Sequence, residues 1–393
     1  MIDGWKILNL PVSITELKKN KFLEFTGNHN TKTGEYFDYP LFAKFNGLEF
    51  LIRDNSKEIK KNPNLKQRIY VNLNGSIHKY FNNGLHNYND FHYTDLLNAV
   101  IDLCEKFKIN PCITNLNNVE FGVNIIVPFD IKDFLNSIIS YGGSSFYPFN
   151  IDGAIGIECT KTNFYIKIYY KSLQYEQSEN ILRFEIKVRK MKFFEDKKIN
   201  IKYLSDLLNP ALFLPLGVIL KTVFNEILLY DHSINETNLN DKELLILSNG
   251  RNTKFWEQLK PDSKKFSEGN KNIEYKKQRK KYYRQLDSYK KTLNKYSTST
   301  IQKDVSELIE KKYKELSNFN ESLRDKLTNF LNSNINKKRD KLTDLENYQK
   351  TTEKGQINTS NIVRICPIVE EDIKRECLTC KKDISNKNNS IFF

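Results

Sequence analysis

Two short segments, 164–171 (FYIKIYYK) and 182–189 (LRFEIKVR), constrain what this chain can fold into more than any other part of it. Both are rich in aromatic and β-branched residues, and both alternate. Lys167, Arg183, Glu185, Lys187 and Arg189 take odd positions, while Ile166, Ile168, Phe184, Ile186 and Val188 take even ones. Side chains two apart on a strand share a face, so Tyr165, Lys167 and Tyr169 point one way and Ile168 and Tyr170 the other. If the two strands pair, their polar face gathers phenols, cations and a carboxylate. A tyrosyl nucleophile acting on a phosphodiester needs such a set: a phenol to attack, a carboxylate-held metal to polarise the phosphate, and cations for the developing charge.

The rest of the pattern points to an α+β fold, an antiparallel sheet with helices on one face. The segments 41–45 (LFAKF) and 48–52 (LEFLI) flank Asn46 and Gly47, a strong hairpin signal. A second hairpin is expected at Asn74 and Gly75, between 68–72 and 76–80. The segment 94–107 has helical apolar spacing and is expected to be capped by Thr94. A strand over 119–127 and a helix over 129–141, starting at Pro128 or Asp130, follow. Further strands are expected at 153–158, 164–170 and 181–189, and a largely helical apolar segment at 204–230. The most apolar stretch, 211–220, is too short to span a bilayer and reads as a buried helix, so no membrane partner is expected.

The segments 165–171 and 182–187 resemble the Tyr-x-Arg/Lys-x-Tyr-Asp/Glu-Lys and Arg-x-Glu signature of rolling-circle replication initiators of the plasmid and filamentous-phage type. The segments 75–80 (GSIHKY), 84–90 (GLHNYND) and 116–124 (LNNVEFGVN) resemble those that precede the active strand in such proteins. The resemblance covers roughly residues 40 to 210. It implies a split β-α-β nicking domain and strand nicking and rejoining at a DNA origin, at a single-stranded or extruded site. Tyr165 falls on the attacking tyrosine, with Tyr169 as its rival on the same face. Glu185 and Glu120 fall on acids that would hold Mg²⁺ or Mn²⁺, and Lys167, Lys171 and Arg183 would supply positive charge. The acid expected before Lys171 is Tyr170 here, and a second acid on the Glu120 strand is Asn124. The resemblance further implies a host helicase as partner. A mobilisation relaxase would use the same chemistry, and a non-enzymatic DNA-binding protein would use the tyrosines for packing. Glu185 could likewise form an ordinary cross-strand pair with Lys167.

Charge supports a polyanionic partner. Of a net +14, an excess of 11 lies between 254 and 350, where 25 Lys and Arg face 14 Asp and Glu. Within it, Lys276, Lys277, Arg279, Lys280, Lys281 and Arg284 interleave with tyrosines in good helix formers, a candidate phosphate-contacting surface. Val305, Leu308, Ile309, Leu316, Phe319, Leu323, Leu327 and Phe330 then recur at helical spacing. That stripe predicts one amphipathic helix, packed on its own hairpin or in a homodimer. The organisation expected is an extension over 1–40, a catalytic domain over 41–232, a basic helical region over 233–350 and a tail over 351–393.

Three histidines, His78, His86 and His92, have spacings that fit no standard zinc motif, and solvated strand or loop residues are the simpler expectation. His78 on a strand is kept as a candidate metal ligand or phosphate contact. Cys377 and Cys380, with Cys366 upstream, read as the first knuckle of an incomplete zinc ribbon. The six scattered cysteines and the mixed segment 1–7 are those expected of a cytoplasmic protein without a secretion signal. Gly142 and Gly143 precede no lysine of the Walker type, so no ATPase motor is expected.

Overall fold

The structure is a computed structural model that describes residues 1–335 apart from 30, 63, 65–67, 152, 262–270 and 321. Its strands in chain order are β1 (Ile2–Ile7), β2 (Thr26–His29), β3 (Tyr36–Phe45), β4 (Leu48–Asp54), β5 (Ile69–Ser76), β6 (Asn118–Ile126), β7 (Ile138–Tyr141), β8 (Ser144–Ser145), β9 (Tyr147–Ile151), β10 (Ala154–Thr160), β11 (Phe164–Tyr170), β12 (Ile181–Val188) and β13 (Ile227–Leu229). Ten of them form one sheet in the order β2-β3-β4-β5-β1-β6-β12-β11-β10-β9, antiparallel at every junction. Two meanders, β2 to β5 and β9 to β12, therefore flank a central pair, β1 and β6. Since β5 and β6 are each antiparallel to β1, they run parallel to each other, and the helix Tyr93–Phe107 lies on the connection between them.

The even residues of β12 and the odd residues of β6 make the apolar face. Leu182, Phe184, Ile186 and Val188 are buried beside Val119, Phe121, Val123 and Ile125. Each such side chain contributes about 1.5–3 kcal/mol on burial. Helices Tyr93–Phe107, Phe213–Asn225 and Ile301–Leu316 share this core: Phe184 meets Phe224 edge-on at 5.4 Å, and Tyr93 meets Phe213 and Phe319. Burying this face leaves the opposite, polar face of the central strands to form a site.

Several local expectations need correction. Segment 1–40 is no extension, because Ile2–Ile7 is a central strand of the sheet; the described residues fall in one compact unit with no break at 40 or 232. The Asn46 and Gly47 hairpin forms, with positive φ at both residues. Asn74 and Gly75 instead lie inside β5, which pairs with both β1 and β4, and Ser76 caps the short helix Ile77–Phe81. Thr94 lies within the first turn of its helix. There Asp95 accepts from the His92 amide at 2.9 Å, taking over the capping. The helix after Asp130 stops at Asn136, and β7 follows. The stripe from Val305 is divided between Ile301–Leu316 and a second helical segment over 322–335, and it buries against the sheet core of its own chain rather than on a separate hairpin. Among the described residues no helix is long and apolar enough to cross a membrane. Cys366, Cys377, Cys380 and the 351–393 tail lie outside the described residues.

Candidate functional site

The register places the polar residues in rows across the sheet. One row runs Phe149, Gly156, Tyr169, Arg183 and Asn124; the next runs Tyr147, Glu158, Lys167, Glu185 and Gly122; a third runs Thr160, Tyr165, Lys187 and Glu120. Residues directly opposite on adjacent strands share a face, so these side chains stand together on the side away from the core. Two glycines make the packing of these rows possible. A Cβ at Gly122 would lie 2.6 Å from Glu185 Cβ, and one at Gly156 would lie 2.3 Å from Tyr169 Cβ.

Asp3, Glu120 and Glu185 bring one carboxylate oxygen each to within 4.8 Å of one another. The Arg183 guanidinium threads between them: its Nε donates to Glu185 Oε2 at 2.6 Å, its Nη2 lies 3.3 Å from Asp3 Oδ2, and its Nη1 donates to Asn124 Oδ1 at 3.0 Å. Lys187 pairs with Glu120, and Lys167 Nζ stands 3.9 Å from Glu185 Oε1 and 4.0 Å from Glu158. Glu185 therefore makes the cross-strand contact with Lys167 as well as joining the acidic group. Burial opposes the Asp3 charge, but Arg183 beside it, helped by Lys171 and Asn87, holds its carboxyl well below the usual range. Glu120 is pushed the other way, by burial and by the nearby Glu185. Two anions that repel at close range, with a third beside them, suit a divalent cation that prefers hard oxygen donors.

Tyr169 is 8% exposed, and its hydroxyl donates to Glu185 Oε2 at 3.3 Å. Burial, then the Glu185 charge, raises its pKa well above the ordinary phenol. Tyr165 stands two rows over with Lys187, half-buried, and the Arg189 guanidinium covers its ring at 4.7 Å. Tyr170 points to the other side, where its hydroxyl donates to Asn180 at 3.0 Å. The third carboxylate of the cluster thus comes from Asp3 of the first strand.

A cavity of about 280 Å³ opens over these residues, lined by Asp3, Ser76, Asn87, Phe149, Lys167, Tyr169 and Lys171 among others. Lys171 Nζ donates to Asn87 Oδ1 at 2.6 Å and Gln174 Oε1 at 2.9 Å, and stands 5.3 Å from the Tyr169 ring centre. Burial, reinforced by Arg183, lowers its pKa to about 7. Asn87 links both parts of the site, since its Nδ2 donates to Asp3 at 3.0 and 3.3 Å while its Oδ1 accepts from Lys171 and Tyr175. Asn124 in turn holds this loop, its Nδ2 donating to the carbonyls of Asn87 and Tyr88.

The structure brings together Glu185, Glu120, Tyr169, Lys167, Lys171 and Arg183. His78 belongs to the helix Ile77–Phe81 rather than a strand and is buried, stacked on Phe91, with Nε2 2.8 Å from Asn89 Oδ1 and Nδ1 3.8 Å from Asp3. Burial lowers its pKa to about 3, so it sits there as a neutral ring. His92 precedes a helix and His86 stacks on Tyr88. Asp3 and Asn87 join the site without having stood out in the sequence. Asp3 shares its parity with the apolar Trp5 and Ile7, so alternation does not mark it, and the strand's register shifts between Ile2 and Gly4; Asn87 lies within the segment 84–90 already singled out, without being named there.

Away from this face, the helix Lys271–Tyr296 is held by Tyr282 and Tyr289 against Trp256 and turns Lys276, Lys277, Arg279, Lys280, Lys281 and Arg284 to solvent.

No family model and no curated protein matches the chain. Among solved structures, it is similar to the rolling circle replication initiator protein from Geobacillus stearothermophilus, with a TM-score of 0.35 and 12% identity over 64% of this chain and 96% of that one.

Proposed function

We propose that this protein nicks and rejoins a DNA strand through a tyrosine–phosphate intermediate, as an initiator of rolling-circle replication. The observation that carries the proposal is Tyr169 on the wall of a cavity, with its hydroxyl 3.3 Å from a glutamate that belongs to a three-carboxylate cluster. The crossover from β5 through Tyr93–Phe107 to β6 around β1 is also the arrangement expected of a split β-α-β nicking domain.

Tyr169 is the nucleophile on this reading. Its oxygen attacks a backbone phosphorus and the bond to the 3′-oxygen breaks. The 5′-phosphate stays on the tyrosine, and the free 3′-hydroxyl primes synthesis. Attack by that hydroxyl reverses the step and reseals the strand. Asp3, Glu120 and Glu185 would hold Mg²⁺ or Mn²⁺, which polarises the phosphate when bound. Lys167 and Lys171 at the cavity supply positive charge to the incoming phosphate. Because Lys171 ionises near neutrality, an arriving anion favours its ammonium form. Arg183 spaces and neutralises the carboxylates from beneath. The exposed cations of Lys271–Tyr296 would hold the neighbouring duplex by its phosphates.

A second reading is favoured by one observation. Each carboxylate already faces a protein cation, Arg183 or Lys187, as in a structural ion-pair network of a non-enzymatic DNA-binding protein. Incubating the protein with a mixed-sequence pool of single-stranded DNA, with Mn²⁺ or with EDTA, separates the two. A metal-dependent covalent adduct resistant to denaturant supports the nickase; binding with no adduct in either condition supports the other reading.

A further inference from the structure

Beyond the nucleophile and the acids, the rows leave an aromatic strip that no chemistry above uses. Phe149 lines the cavity and meets Tyr169 edge-on, with ring centres 5.8 Å apart. It reaches Tyr169 because Gly156 lies between them; a Cβ there would come within 2.7 Å of Phe149 Cζ. Two positions along the same strand, on the same face, Tyr147 is 63% exposed. Both belong to β9, the last strand of the sheet, so among the described residues no further strand covers this margin. Lys167 Nζ stands 5.9 Å from the Phe149 ring centre and, with Lys79 and Lys171, gives the cavity its cations.

An exposed tyrosine on a sheet margin is poorly placed for packing, since water surrounds most of its ring and the side chain keeps its freedom. Flat rings spaced along a strand, with the lysines of the adjoining cavity beside them, match the chemistry of an unpaired nucleic acid strand. Every base offers a π face whatever its identity, and the phosphates between bases require cations. A duplex would present only its phosphates here, because its bases are already stacked.

We propose that Tyr147 and Phe149 form a stacking platform for unpaired bases that flank the scissile phosphate, so that the sheet margin selects single-stranded over duplex DNA. The platform rests on the reading of the polar face as the DNA site. It gives the cavity a direction: the strand crosses β9 and turns its backbone toward Tyr169.

The test is binding in EDTA, where no cleavage is needed, so the result does not depend on whether a Tyr169 adduct forms. The full chain is titrated with a fluorescent oligothymidylate and with a strand of equal length made of abasic sites, which keeps the phosphates and removes the bases. Tyr147→Ala removes an exposed ring, and Phe149→Leu keeps apolar bulk against Tyr169 while removing the π face. The wild type is expected to prefer the base-bearing strand, and each variant to lose roughly tenfold of that preference, within the range of one stacked base. Equal affinity of the wild type for both strands, or either variant retaining the full preference, overturns the platform.

Discussion

Gly122 lies directly across from Glu185 on adjacent strands, and a side chain at 122 would stand 2.6 Å from the glutamate's own Cβ and 2.3 Å from the Phe184 carbonyl oxygen. The missing side chain lets the carboxylate sit in line with Asp3 and Glu120. Gly122→Ala is therefore expected to cost about 1–3 kcal/mol through overpacking and to displace Glu185. Thermal melting with and without Mn²⁺ checks this: the wild type should be stabilised by the ion and the variant should not.

Among the described residues, Arg183 is the one cation that touches both Asp3 and Glu185 from a buried position. Removing it takes away the buried cation between them and leaves Glu185 only its longer contact with Lys167, at about 3–5 kcal/mol. In urea unfolding, Arg183→Met should lose stability of that order. Part of the loss should return with millimolar Mn²⁺, because a divalent ion replaces the missing positive charge. A variant as stable as the wild type without metal would show that the carboxylates are not held charged.

The two strands that carry the site were legible because their alternation is strict, and the faces of Tyr169, Lys167, Glu185 and Arg183 follow from it directly. Their neighbours were less so. Which strand lies beside β12 depends on contacts distant in sequence, so Asp3, more than a hundred residues from β6, could not be placed next to Glu120 by pattern. The Asn74 and Gly75 pair carries the same turn residues as Asn46 and Gly47. What differs is tertiary: β5 is flanked on both sides, by β1 and β4, and continues straight through its glycine. The stripe from Val305 to Phe330 needs a partner by its pattern alone, but amphipathicity does not say which surface supplies it.

Lys171 gives a pH signature. Its pKa falls from an ordinary 10.5 to about 7 on burial. Between those values the unfolded chain binds more protons than the folded one, so the Lys171 contribution makes stability rise with pH across that window, and the penalty is complete below it. Lys171→Met removes this group from the balance. The difference in unfolding free energy between wild type and variant should therefore shift in favour of the wild type as pH rises through the window, and a difference independent of pH would contradict the buried amine.

The helix Lys271–Tyr296 cannot be deleted without stripping Tyr282 and Tyr289 from Trp256, so its role is tested by charge alone. Replacing Lys276, Lys277, Lys280 and Lys281 by Gln leaves the packing intact. Duplex affinity should fall, and the slope of log K against log salt should drop by about 0.9 for each phosphate that these lysines no longer neutralise. An unchanged slope would direct this basic face to another partner.

On the proposed function, Tyr169 attacks DNA beside a carboxylate cluster that would hold the metal. Mass spectrometry of the peptide–nucleotide adduct from mixed-sequence single-stranded DNA with Mn²⁺ tests it most directly, comparing wild type, Tyr169→Phe and Tyr165→Phe. The adduct is expected on Tyr169, absent in Tyr169→Phe and in EDTA, and retained in Tyr165→Phe. An adduct mapped to Tyr165 and surviving in Tyr169→Phe would contradict the assignment, and its formation in EDTA would contradict the role of the carboxylates.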